Sequence, residues 1–296
     1  MAKKTWIEVA LNGAWTRRAQ PLIPITADEI VREGVQCVRA GAAIVHAHTL
    51  DPQTGRQNND VDNCAAFISA IRSQVDAIVY PTAVPPPGVT DWNRRYSTIL
   101  ELARRGLVEW GFIDPGSVNL WRAETREAPA YGDDRGIYAN SPGFVDHLMR
   151  LAEQHHFHPA FACYEPGFVR HGAMLHRRYP RTPSPVYRFM VSSAFTFSFP
   201  PEPWALEAYV RLLDKVSPGA PWMLAGLGVD VLPLIPEVVM MGGHVRVGLE
   251  DAPHNSTRTN LAMVETAVDA IQKAGGEPAA ASEVRIAMAA CKPPLG

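Results

Sequence analysis

A chain of 296 residues with 28 Lys plus Arg against 30 Asp plus Glu has a net charge of only -2. It therefore lacks the basic field that would hold nucleic acid or an anionic lipid surface, and small molecules are the expected partners. A hydrophobic share of 47% and a charged share of 20% exclude a disordered chain and supply a sizeable core, so one soluble domain over residues 1–296 is expected, a length that α/β barrels reach as a unit.

The four cysteines, Cys37, Cys64, Cys163 and Cys291, are scattered without a CxxC pair. The opening MAKKTWIEVAL is too short an apolar run for a signal peptide, and no stretch approaches the roughly 20 apolar residues that cross a bilayer. These features lead to the expectation of a cytoplasmic protein with reduced thiols and no membrane partner.

In chain order, a first strand is predicted over Trp6–Leu11. A helix follows, opened by Thr26 as N-cap with Glu29 three residues on and closed near Gly41. Ala42–His48 reads as a buried strand, Val61–Arg72 as a helix, Ala77–Thr82 as a strand and Trp92–Arg105 as a helix. Strands are then predicted at Val108–Ile113, Pro159–Tyr164, Val186–Ser192, Pro221–Ala225 and His244–Leu249, with helices near 143–156, 167–176, 202–214, 231–241 and 257–274. Eight strand-helix pairs imply a parallel sheet covered by crossover helices, and that count favours a closed (β/α)8 TIM barrel over a doubly wound open sheet. Two stretches break the rhythm. Gly116–Pro142 follows the fourth strand, where a loop can act as a lid, and Tyr179–Pro185 precedes a strand, at the structural end of a barrel.

The strongest chemical signal is Ile44-Val45-His46-Ala47-His48. Residues two apart on a strand project to one face, so two imidazoles there can share a metal, whereas a lone strand histidine is more often a core residue. The turn residues of Asp51–Arg56 put both histidines at the catalytic end of the strand. The second signal is the run His244 to Asp251, where alternation puts Arg246, Gly248 and Glu250 on one face. Glu250 can then complete a site of two histidines and one carboxylate, leaving Asp251 as a base; the alternative is a solvated loop acid beside Arg246. Glu165, after Cys163-Tyr164, either reaches the mouth or is an ordinary loop acid, and Gly226-Leu227-Gly228 either lets backbone approach a ligand or is, as more often at a strand-helix turn, plain turn chemistry. His155, His156 and His158 straddle a helix end and a strand start, at the wrong end of a barrel for metal ligands.

These residues resemble the β-keto acid cleavage enzymes, of which 3-keto-5-aminohexanoate cleavage enzyme is one. The likeness runs over nearly the whole chain, through Leu11–Ala14, Leu22–Thr26, Ala40–Ala42, His46, His48, Gly55-Arg56, Tyr164-Glu165, Ala225–Gly228 and Gly242–Asp251. The resemblance implies a TIM barrel with a divalent metal, zinc by preference, on His46, His48 and Glu250, and a proton-abstracting pair of Arg246 and Asp251. It also implies exchange between a β-keto acid and acetyl-CoA, giving acetoacetate and a new acyl-CoA, in a homotetramer. Trp15, Thr82, Ser117 and Glu165 are the positions it assigns to substrate binding.

The chain departs from the family pattern in several places. Trp15 stands where the 3-keto-5-aminohexanoate enzyme has a glutamate, so an ammonium-bearing substrate loses its partner. Pro81-Thr82-Ala83-Val84, followed by Pro85–Gly88, replaces Ser-Thr-Gly-Gly; Ser117 replaces a threonine but keeps its hydroxyl, and Val229-Asp230 replaces aromatic or basic residues. A metal-dependent hydrolase would need further histidines ending the fifth and sixth strands, where this chain has Tyr164-Glu165 and Ser192-Ser193. A barrel altered to a binding role would have no reason to keep two imidazoles and two acids at one end.

Overall fold

Alternating apolar runs and amphipathic segments fold as the pattern implies. The computed structural model describes residues 3–82, 91–123 and 136–291. Its barrel strands are β1 (Ile7–Ala10), β2 (Ile44–Ala47), β3 (Ile78–Pro81), β4 (Trp110–Ile113), β5 (His158–Cys163), β6 (Val186–Val191), β7 (Trp222–Gly226) and β8 (His244–Val247). The helices are α1 (Ala27–Arg39), α2 (Val61–Arg72), α3 (Trp92–Arg104), α4 (Pro142–His155), α5 (Pro166–Arg178), α6 (Pro203–Val216), α7 (Ile235–Met241), α8 (Asn260–Lys273) and α9 (Ala281–Ala290).

The strands pair in parallel in the order β3-β2-β1-β8-β7-β6-β5-β4, so strands adjacent in sequence pair with one another except β3 and β4, and β8 pairs with β1. The two ends of this ladder, β3 and β4, close toward each other, with the rings of Tyr80 and Trp110 6.1 Å apart. This is the expected (β/α)8 barrel, nearly closed. The strands can be apolar throughout because both their faces are covered, one by the lumen side chains and one by the helices. The exceptions, polar residues inside these runs, turn out to matter most.

Local chemistry sets the elements as expected at several points. Thr26 and Glu29 form a capping box: the Thr26 hydroxyl accepts from the Glu29 amide at 3.2 Å, and Glu29 accepts from the Thr26 amide at 3.0 Å. His156 ends α4 in the left-handed conformation, and His158 bonds the Ser184 carbonyl at 2.9 Å below the barrel, so neither approaches the mouth. The Tyr179–Pro185 stretch lies at that same lower end.

Three expectations are corrected. β8 ends at Val247, not Leu249; the segment read as one helix over 231–241 is a 3-10 turn at Leu232–Leu234 followed by α7; and the Gly116–Pro142 loop holds a small antiparallel pair, Val118–Asn119 with Ile137–Tyr138. Beyond 274 the chain adds a short strand, Gly276–Pro278, paired with Lys3–Thr5, and then α9. The altered segment Ala83–Gly88 lies outside the described residues, as does the middle of the lid loop, 124–135.

Candidate active site

The mouth is assembled from the ends of β1, β2 and β8. Alternation along β2 carries His46 and His48 to the same side, and both are buried. Asn12, just past β1, fixes the second of them: its Oδ1 accepts from the His48 amide at 2.8 Å and its Nδ2 donates to the His48 carbonyl at 2.9 Å. The Nδ1 of His48 meets Gln57 Oε1 at 2.8 Å, which leaves Nε2 directed into the mouth.

Had β8 stayed extended, four residues would separate Arg246 from Glu250 by about 13 Å. Instead the chain turns at Gly248, and the Asp251 and Ala252 amides both donate to its carbonyl, at 3.2 and 3.0 Å. Glycine is required there: its φ is +139°, and an added Cβ would lie 2.2 Å from the Ala10 carbonyl oxygen. Gly13 (φ +61°) clears space on the other side, where a Cβ would sit 2.7 Å from Glu250 Cγ. The turn folds both acids back over the guanidinium. Arg246 donates from Nε and Nη2 to the two oxygens of Asp251 at 2.8 and 2.9 Å, and Nη2 lies 2.8 Å from Glu250 Oε1.

Glu250 also faces both imidazoles. His46 Nε2 is 3.4 Å from its Oε2, and His48 Nε2 is 3.4 Å from its Oε1. Among the described residues, these three side chains form a group whose donor atoms all lie within 4.8 Å of one another. His46 Nε2, His48 Nε2 and Glu250 Oε2 are buried without a hydrogen-bond partner. A buried polar atom left unpaired costs about 1–3 kcal/mol, so three of them converging on one point is poor packing but a good ligand set. Two imidazoles and a carboxylate fit a divalent cation with positions left open.

Burial holds His46 well below the usual imidazole range, Arg246 adding to that effect and Glu250 opposing it, so it is the neutral form a metal requires. Burial works against charge on Glu250, but Arg246, His46 and His48 more than offset it and keep the carboxyl well below its ordinary range. Asp251 behaves differently. Burial pushes it up to about 6 in spite of Arg246, with Glu250 and Glu8 adding to the rise.

The other residues singled out from sequence are spread around the mouth. Trp15 is buried and donates its indole N–H to the Glu250 carbonyl at 2.7 Å, with His254 edge-on at 4.6 Å. Thr82 is buried at the end of β3, its amide donating to the Ala47 carbonyl at 3.2 Å. The Ser117 hydroxyl accepts from the Asn140 amide at 2.8 Å, and Glu165, half-buried before α5, accepts from the Ser198 amide at 3.3 Å.

Sequence reasoning missed Glu8, Tyr80, Arg188 and Asp114, all buried on the barrel strands or just past them. Their signal was a polar side chain inside an apolar strand, plainest in Val186-Tyr187-Arg188-Phe189. Asp114 carries its carboxyl up to about 7, through burial that Tyr138 and Arg188 only partly counter.

Fold and site together define a barrel enzyme whose mouth pairs a metal-type cluster with a buried Arg-Asp dyad. A family profile described as beta-keto acid cleavage enzyme matches residues 4–289. The chain belongs to that family and is an acyltransferase-type enzyme. It is 25% identical over 292 residues to "3-keto-5-aminohexanoate cleavage enzyme" of Fusobacterium nucleatum subsp. nucleatum, covering 96% of this chain and 97% of that one. It is also 25% identical over 291 residues to "3-oxoadipate:acetyl-CoA acetyltransferase" of Cupriavidus necator, covering 96% and 94%. Among solved structures, the apo structure of ObcA superposes with a TM-score of 0.70 at 19% identity, over 91% of this chain and 66% of that longer one, a likeness of fold. None of the described helices is long and apolar enough to cross a membrane.

Proposed function

We propose that this protein exchanges a β-keto acid with acetyl-CoA, giving acetoacetate and a new acyl-CoA, with a divalent metal on His46, His48 and Glu250. The observation that carries the reading is the juxtaposition of three converging, unpartnered ligand atoms with a carboxylate held bidentately by Arg246. Relatives named as β-keto acid and acetyl-CoA transferases support it. Zinc is the proposed ion, and a divalent cation there supplies Lewis-acid stabilisation of charge developing on a carbonyl oxygen.

Asp251 takes the proton from C2 of the β-keto acid. Its elevated carboxyl is a better base at neutral pH than an ordinary aspartate, and the bidentate Arg246 fixes its direction. The C2 carbanion attacks the thioester carbonyl of acetyl-CoA and the CoA thiolate leaves. That thiolate adds to C3; the C2–C3 bond then breaks with its electron pair on C2, and Asp251 returns the proton there, releasing acetoacetate and the new thioester. Trp15, Thr82, Ser117 and Glu165 are proposed to line the substrate space. Since the Trp15 N–H is committed to Glu250, Trp15 offers substrate its ring face, which suits an uncharged or apolar tail. A homotetrameric assembly and a cytoplasmic setting belong to the same proposal.

The test is product analysis by mass spectrometry after incubation with acetyl-CoA and β-keto acids of neutral, anionic and ammonium-bearing tails. Acetoacetate and a matching acyl-CoA should form in equal amounts, fastest with a neutral tail. If no substrate yields acetoacetate, the reading is wrong.

A further inference from the structure

Beneath the mouth, four side chains from four strands meet in the lumen: Glu8 of β1, Tyr80 of β3, Arg188 of β6 and Arg246 of β8, all buried. Glu8 and Arg246 are register partners on adjacent strands. One oxygen of Glu8, Oε1, is the hub: it accepts from the Tyr80 hydroxyl at 2.6 Å and from Arg246 Nη1 at 3.0 Å, with Arg188 Nη1 3.5 Å away. Arg188 in turn donates to the Tyr80 oxygen and to the Ala160 carbonyl, both at 3.0 Å.

A guanidinium presents a planar fork of donors, and each edge can take one carboxylate. Arg246 has two carboxylates competing above it, since Nη2 lies 2.8 Å from Glu250 Oε1 and 2.9 Å from Asp251 Oδ1. A change in the side-chain torsions of Arg246 would tilt the bidentate edge from Asp251 toward Glu250. Glu8 opposes that tilt by anchoring Nη1 from below, which keeps the Nε/Nη2 edge on both oxygens of Asp251 while Nη2 also lies against Glu250. We infer that Glu8 is a positioning residue, acting through Arg246 to aim Asp251 at the substrate. The inference rests on the reading of Asp251 as the base. A brace that only tied strands together would be served as well by Tyr80 and Arg188, and would not depend on which edge of Arg246 faces upward.

The experiment follows the first step alone. A β-keto acid is incubated in D2O with metal-loaded enzyme and no acetyl-CoA, and C2 proton exchange is read by NMR. Glu8→Gln keeps the size and the acceptor but removes the charge. It should slow exchange about 10- to 100-fold, part of the general-base contribution, with metal content intact and KM for the β-keto acid within about twofold. Glu8→Asp should fall between Glu8→Gln and wild type. Tyr80→Phe weakens the brace without touching Arg246 and should stay within about threefold of wild type, as an additive structural effect would.

In an Asp251→Asn background, with enzyme sufficient to keep residual exchange above the uncatalysed rate, Glu8→Gln should cause no further loss. The same fold-loss in both backgrounds, or an equal loss from Tyr80→Phe, would assign Glu8 a structural role and overturn the inference. Wild-type exchange that Glu8→Gln leaves unchanged overturns this inference alone. A wild type that exchanges no C2 proton with any β-keto acid overturns the base assignment and this inference with it.

Discussion

His46 and Asp251 are both buried acid-base groups beside Glu250, the first 3.4 Å from its carboxylate across the mouth and the second next to it in sequence, yet their surroundings differ. His46 has no hydrogen-bond partner at either ring nitrogen and is held neutral by burial, a state compatible with binding a divalent metal. Asp251 has both oxygens engaged by Arg246 and is nevertheless lifted to about 6. Replacing His46 or His48 by alanine should therefore abolish stoichiometric metal after dialysis while leaving the circular dichroism spectrum unchanged, because a catalytic ion adds little to the core. Full metal content in either variant would remove that residue from the ligand set. Asp251→Asn should do the reverse: metal retained, exchange activity lower by at least about 100-fold. Near wild-type turnover would move the base role to another carboxylate, with Glu165 and Asp114 the first to try.

At the scale of elements, the β8 turn is what converts a strand into a site. Gly248→Ala would drive a methyl into the Ala10 carbonyl, so β1 and β8 must part or the turn must open. Reduced metal affinity is expected along with a fall in melting temperature, both measurable on the purified variant; unchanged metal binding would show that the turn relaxes without moving Glu250. The capping box of α1 is a separate, titratable contribution. Burial disfavours charge on Glu29, but the Ile25 and Thr26 amides and Arg17 more than offset it and bring the carboxyl down to about 2 from 4.5. A folded-state value depressed in this way stabilises the protein fully above about pH 4.5, and the stabilisation is lost as pH falls from there through about 2. The urea midpoints of wild type and Glu29→Gln should differ at neutral pH and converge over that window. A constant gap would place the contribution elsewhere.

For the whole molecule, the barrel was legible because its cause is regular: eight buried apolar runs alternating with amphipathic segments leave few alternatives. The histidines were legible for the same reason, as a two-residue period at a strand end is a local pattern. What the pattern could not carry was anything that depended on a change of backbone direction or on contacts across the lumen. The Gly248 turn reads as two more residues of strand, so the fold-back that brings Glu250 and Asp251 over Arg246 could not be read from the pattern. Glu8, Tyr80 and Arg188 were missed because their partners lie far off in sequence, Glu8 to Arg246 being 238 residues. The closing helix α9 escaped for a different reason: Ala281–Ala290 is alanine-rich, and its apolar periodicity is faint.

The metal cluster and the exchange chemistry are predicted to belong to one site. The most direct measurement strips the enzyme with a chelator, adds back zinc in known equivalents, and follows label from acetyl-labelled acetyl-CoA into acetoacetate in the presence of a neutral β-keto acid. Labelled acetoacetate should rise linearly with zinc and level off at about one equivalent per chain, as a single site of this ligand set requires. Full labelling by the stripped enzyme, or none at any zinc content, would contradict it.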